Sequence, residues 1–199
     1  MTADALSIAD CPEALTPEWL TAALRRAGTL QDAEVASVSI TPIGTGQMCD
    51  SVRMTLTYDR DADAPASLVA KLPAADETSR ATAVALRNYE KEVRFYQELA
   101  PQLAVRTPRL HHGDIDESLG RFVLVLEDLA PATVGDQIEG CSVDDARRAV
   151  LQLARLHGAR WGDPALEEIP WLVGLSAGSS GGISEMLAAV WAGFQDRYS

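Results

Sequence analysis

Between Val35 and Tyr58 apolar and polar residues alternate in two runs, and a third short run follows a polar turn, a pattern that admits little besides a meander of antiparallel strands. Val38 and Ile40 alternate with serines and Thr41, and Val52, Met54, Leu56 and Tyr58 alternate with Arg53, Thr55 and Thr57. The glycine-bearing stretch Pro42-Ile43-Gly44-Thr45-Gly46-Gln47-Met48-Cys49-Asp50 joins these two strands into a hairpin. A polar turn over Asp59 to Ala66 leads to the third strand, Ser67 to Leu72, which Pro73 stops.

Helical signals bracket this meander. Thr16 caps a helix with Pro17 at its first position and Glu18 in its first turn, and Gly28 ends it. Thr78 to Leu99 reads as one helix whose Leu86, Tyr89, Val93, Tyr96 and Leu99 form an apolar stripe, closed by Pro101. Pro108 to Leu110 and Phe122 to Leu129 are expected to be two further strands, joined by a polar turn over His111 to Gly120. Ser142 and Asp145 resemble a capping box ahead of a helix that places Ala146, Val150, Leu153, Ala154, His157 and Trp161 on one face. A serine- and glycine-rich loop over residues 176–182 precedes a last helix with Ile183, Met186, Leu187, Val190, Trp191, Phe194 and Tyr198 in its stripe. The expected class is α+β: a five-stranded antiparallel sheet with one inserted helix over residues 1–130, then a helical part over residues 131–199.

Composition narrows the function classes. The net charge of −12 disfavours phosphate backbones and anionic lipid, so neither nucleic acid nor membrane is expected as a partner and a small molecule is. No apolar run approaches the ~20 residues of a membrane span, and residues 1–10 show no secretory pattern. Cys11, Cys49 and Cys141 are scattered without a C-x-x-C, which fits a reducing, cytoplasmic setting and no structural zinc. Lys71 and Lys91 are the two lysines of a chain whose other basic side chains are arginine or histidine, which suggests that a compact ammonium is wanted there.

Three features point to phosphate chemistry. Gly44 and Gly46 flank Thr45 in a strand-to-strand turn where backbone N–H groups can approach an anion closely. A third glycine of the G-x-G-x-x-G pattern is replaced by Cys49. Lys71 ends the third strand of the same sheet, and Glu92 falls inside the apolar stripe of the following helix, where a carboxylate needs a partner. A glycine hairpin, a strand lysine and a helical glutamate holding that lysine compose the protein-kinase-like nucleotide site.

Here the chain resembles the N-terminal lobe of the aminoglycoside phosphotransferase and choline-kinase-like family, in particular its ecdysteroid-kinase-like branch. The matching stretches are Ile43 to Met48, Leu68 to Lys71, Tyr89 to Tyr96 and Leu124 to Leu129, with Leu153 to His157 and Trp161 resembling the first long helix of the C-terminal lobe. The resemblance implies ATP as cofactor and an adenine hinge, with a backbone acceptor at Glu127 and a backbone donor at Leu129. It also implies a small-molecule acceptor hydroxyl that the sequence does not identify.

The family's catalytic His-Gly-Asp with a following Asn belongs to the C-terminal lobe, where magnesium is also held. His112-Gly113-Asp114 imitates that motif, but it precedes the hinge, and Leu119 stands where the Asn would fall. It is read as turn chemistry outside the nucleotide cleft. No second copy follows Trp161, and His157 is read as a structural residue of the helix core. No catalytic or metal-binding residue is therefore assigned. The expectation is a phosphotransferase truncated before its catalytic loop, competent for nucleotide binding at most, with the stripe of the last helix as a surface for association. The alternatives are a non-catalytic kinase-like binding module and, less supported, a hydrolase using His112 to Asp114, for which no G-x-S-x-G is present.

Overall fold

A computed structural model describes residues 6–44, 48–172, 187–188, 190–191 and 193–197. Strands β1 (Val35–Pro42), β2 (Cys49–Tyr58), β3 (Ser67–Pro73), β4 (Leu110–Asp116) and β5 (Arg121–Glu127) form a single sheet in the order β1-β2-β3-β5-β4. Every neighbouring pair is antiparallel. The chain folds into two compact units, Met1–Ala159 and Arg160–Ser199, and the sheet belongs to the first. No helix of the described residues is long and apolar enough to cross a membrane.

Helix α1 (Pro17–Arg26) starts as its sequence dictates: the Thr16 hydroxyl accepts from the Trp19 N–H, and Gly28 leaves the helix at φ +66°. Its Leu20, Ala23 and Leu24 are fully buried against Val52, Met54, Leu56, Leu68, Ala70, Leu72, Val123 and Val125. The indole N–H of Trp19 donates to Ser7 O at 2.7 Å, and Arg121 holds Asp10 and Ile8 O, tying the N-terminal segment to the start of β5.

The opposite face of the sheet packs on a helix that the sequence reading had drawn as continuous. The structure divides it into α2 (Glu77–Ala85), α3 (Asn88–Arg94), a π turn over Phe95–Leu99 and a short 3-10 turn over Ala100–Gln102. The break falls at Arg87, which adopts φ +56° and gives both guanidinium contacts to Glu90, at 2.6 and 2.8 Å. Leu86 consequently leaves the expected stripe and is half exposed, while Glu90 is buried. Tyr89 and Val93 keep their places, packing with Phe122, Leu124 and Leu126.

A second correction concerns β4. The residues expected to turn, His111 to Asp116, are the strand itself, and the turn is confined to residues 117–120. Pairing with β5 accounts for this, since Gly113 and Asp114 sit opposite Leu124 and Val123. A Cβ at Gly113 would meet Leu124 Cδ2 at 3.1 Å, so the glycine serves close packing here rather than a reversal.

Helix α4 (Val143–Ala159) has the expected cap, with the Ser142 hydroxyl accepting from the Asp145 N–H and donating to its carboxylate. None of its residues is buried, and His157 is exposed rather than part of a core. In the second unit the described residues from 187 to 197 are helical, with Leu187, Val190, Trp191 and Phe194 exposed. Ile183, Met186 and Tyr198 lie outside the described residues.

Candidate functional site

On the face of the sheet that carries α3, the central strand β3 presents Lys71, which registers with Ser51 of β2 on one side and Leu124 of β5 on the other. The Lys71 ammonium donates to Glu92 Oε1 of α3, and both side chains keep a quarter to a third of their surface open. The expected ion pair is thus present. Burial works against the Lys71 charge, but the Glu92 carboxylate and its hydrogen bond, helped by Cys49 and Tyr96, carry its pKa above the ordinary lysine value. The cation is therefore held charged and aimed by a carboxylate.

Cys49 and Tyr96 complete the surroundings. The Cys49 thiol is pushed up by burial, against the pull of Lys71, so it stays protonated at neutral pH. Burial also raises the Tyr96 phenol, with Glu92 adding to the effect.

The chain entering β2 is anchored by Tyr89, whose sequence position marks it only as core. The Tyr89 hydroxyl donates to Met48 O at 2.7 Å and accepts from the Ala74 N–H at 3.1 Å, while its ring stacks on Phe122 at 4.3 Å. One phenol thereby joins α3 to the start of β2 and to the chain leaving β3. Its helical position gave its burial away; nothing in the sequence marked its hydroxyl. Gly44 enters the hairpin turn at φ +73°, a conformation that favours glycine. Thr45 and Gly46, the other expected phosphate contacts, lie outside the described residues.

The expected hinge begins where β5 ends. Glu127 N donates to Arg109 O, and its carboxylate, drawn below the usual range chiefly by Arg106, also accepts from the Arg109 N–H at 3.0 Å. Leu129 is exposed, and its carbonyl accepts from Ala132 N. Asp128, between them, is the most enclosed carboxylate of the segment: its side chain is 4% exposed and bonded to Arg53 and Ser67. Sequence reasoning had not singled out this aspartate.

His112-Gly113-Asp114 lies away from Lys71. Gly113 faces Leu124 and Gln97, so the alternation of β4 turns His112 and Asp114 to the other face. The His112 ring meets Trp19 edge-on at 5.2 Å, and burial lowers its pKa. Asp114 accepts from the N–H of Ile115. Burial likewise lowers the pKa of His111, whose Nδ1 sits 2.9 Å from the Thr29 hydroxyl.

Among the described residues no group of three or more His, Cys, Asp or Glu is arranged to hold a metal ion. The charge and direction of the Lys71 ammonium are compatible with an anionic ligand such as a phosphate, and the described residues offer no ligand set to which a magnesium step can be assigned.

The model of the ecdysteroid kinase-like family matches residues 46–161, more than half of the chain. The match includes Lys71, Glu92, the β5 exit and α4. No curated protein matches the chain.

Proposed function

The chain belongs to the ecdysteroid kinase-like family, and from that premise we propose that it is a kinase-like phosphotransferase that passes the terminal phosphoryl group of ATP to a small-molecule hydroxyl. Residues 1–130 form the nucleotide lobe in this reading, and residues 131–199 belong to the helical lobe. The observation that carries it is the Lys71–Glu92 ion pair beneath the glycine hairpin. A lysine held by a helical glutamate is the arrangement that places an ammonium on the phosphates of a kinase-bound nucleotide.

Each side chain then has a defined task. Lys71 neutralises phosphate oxygens, Glu92 fixes the direction of the ammonium, and the backbone of the Gly44 to Gly46 turn covers the phosphates. Glu127 O and Leu129 N receive the adenine edge. Catalysis of this kind rests on positioning and charge stabilisation, so what these residues supply is a fixed, charged seat for the triphosphate. Magnesium supplies charge neutralisation when bound with the nucleotide. The acceptor is a small-molecule hydroxyl.

Calorimetric titration of magnesium-ATP into the 199-residue chain, with a phosphoryl-transfer assay alongside, tests this. Saturable binding is expected. No binding of ATP would overturn the reading.

A further inference from the structure

The pairing of β3 with β5 ends with Leu68 opposite Glu127. Beyond that residue the ladder no longer places the chain, and one side chain takes over. The Asp128 carboxylate accepts from Arg53 Nε at 2.7 Å, Arg53 Nη2 at 3.1 Å, Ser67 Oγ at 2.8 Å and Ala130 N at 3.0 Å. Those four donors match the roughly four lone-pair sites of an ionised carboxylate.

The donors come from different parts of the chain. Arg53 lies in β2 opposite Val69, Ser67 opens β3 opposite Thr55, and Ala130 lies in the segment that follows β5. A carboxylate this enclosed costs several kcal/mol unless it is fully partnered. A merely solvated exit from a strand needs none of this. The arrangement binds the first residues after β5 to two other strands of the sheet at once.

We propose that Asp128 is a positioning residue for the purine: through Arg53 and Ser67 it fixes the backbone of residues 127–130, and so sets where Glu127 O and Leu129 N meet the adenine edge. The inference rests on the nucleotide reading above. It predicts a discrimination that a structural ion pair would not produce. A ligand with a purine depends on the latch, and a ligand made of phosphates alone does not, because Lys71 and the glycine turn lie outside it.

The experiment uses the full chain, with Asp128→Asn, Arg53→Lys and Ser67→Ala, titrated with ATP and separately with inorganic tripolyphosphate. Amide hydrogen exchange at Ala130 is followed in the absence of any ligand. Asp128→Asn is expected to weaken ATP about tenfold, the scale of one charge-assisted hydrogen bond. Tripolyphosphate affinity is expected to stay within about twofold. Arg53→Lys, which keeps the charge and loses the paired geometry, is expected to fall between. Ala130 exchange is expected to accelerate about tenfold in Asp128→Asn.

Should that variant fail to fold, Ser67→Ala, which removes one of four contacts, is expected to show the same ATP-specific loss at a few-fold scale. Unchanged exchange at Ala130 would overturn the latch whatever the nucleotides do. Equal weakening of ATP and tripolyphosphate would overturn the purine-positioning role. A parent chain that binds neither ligand would overturn the nucleotide reading instead, and that result is distinct because the exchange arm needs no ligand.

Discussion

The two faces of the sheet are made by the same strands and have opposite chemistry. Toward α1 the strands present Val52, Met54, Leu68, Ala70, Leu72, Val123 and Val125, all buried in apolar contact. Toward α3 the apolar packing of Phe122, Leu124 and Leu126 gives way, on β3 and β2, to Lys71, Ser51 and Arg53. Strand alternation lets one element serve both purposes, with stability carried on one side and charge on the other. The dry face allows the polar face to hold an ion pair that by itself contributes little to folding.

Substitutions that act on one face and spare the other test this division. The largest effect is expected on the dry face: Leu20→Ala removes a fully buried side chain and lowers stability by about 2–5 kcal/mol, read from chemical denaturation. Its ATP affinity, measured on the folded fraction, is expected to match the parent. Lys71→Ala inverts the result. It is expected to weaken ATP by about 10- to 150-fold, or about 1.5–3 kcal/mol, with a denaturation midpoint near that of the parent. A large loss of stability there would mean that the two faces are not separable. Thr16→Ala, which removes the α1 cap, is expected to cost about 1 kcal/mol and leave nucleotide binding untouched.

The smallest effect is one of slope with pH. Asp128 is held below the ordinary carboxylate range chiefly by hydrogen bonds from Arg53. Its contribution is full above the unfolded value of about 3.9 and is lost as pH falls through the lowered folded value. The stability gap between parent and Asp128→Asn is therefore expected to close on acidification below about pH 4. Lys71 has the opposite sign. Its raised pKa means that the pair contributes fully below the unfolded value of about 10.4 and is lost as pH rises through the folded value. Denaturation series at the two extremes of pH separate the two ion pairs.

What the sequence made legible was local. Alternation marked β1 and β2, a short run stopped by Pro73 marked β3, Thr16 and Pro17 marked α1, and Ser142 with Asp145 marked the start of α4, because caps and periodicity act within a few residues. Lys71 and Glu92 were legible because a carboxylate in an apolar stripe calls for a cation. The break at Arg87 was not, since it falls inside a stretch that helical propensity would continue. The extension of β4 through His111 to Asp116 was hidden because its stability comes from β5, and its residues have the composition of a turn. The Asp128 latch was invisible for a similar reason: Arg53 and Ser67 lie 75 and 61 residues away in sequence. The amphipathic pattern of α4 specified a helix but said nothing about whether its apolar side is covered, and none of its residues is buried.

The phenol of Tyr89 acts as a mechanical linkage. It grips Met48 on one side and Ala74 on the other from a residue one helical turn ahead of Val93, in the helix that also carries Glu92. An outward swing of that helix cannot separate Glu92 from Lys71 while leaving the hairpin where it was. The same displacement pulls on Met48 at the hairpin's base. The Lys71–Glu92 ion pair and the backbone at Met48 are thus both fixed by the one helix.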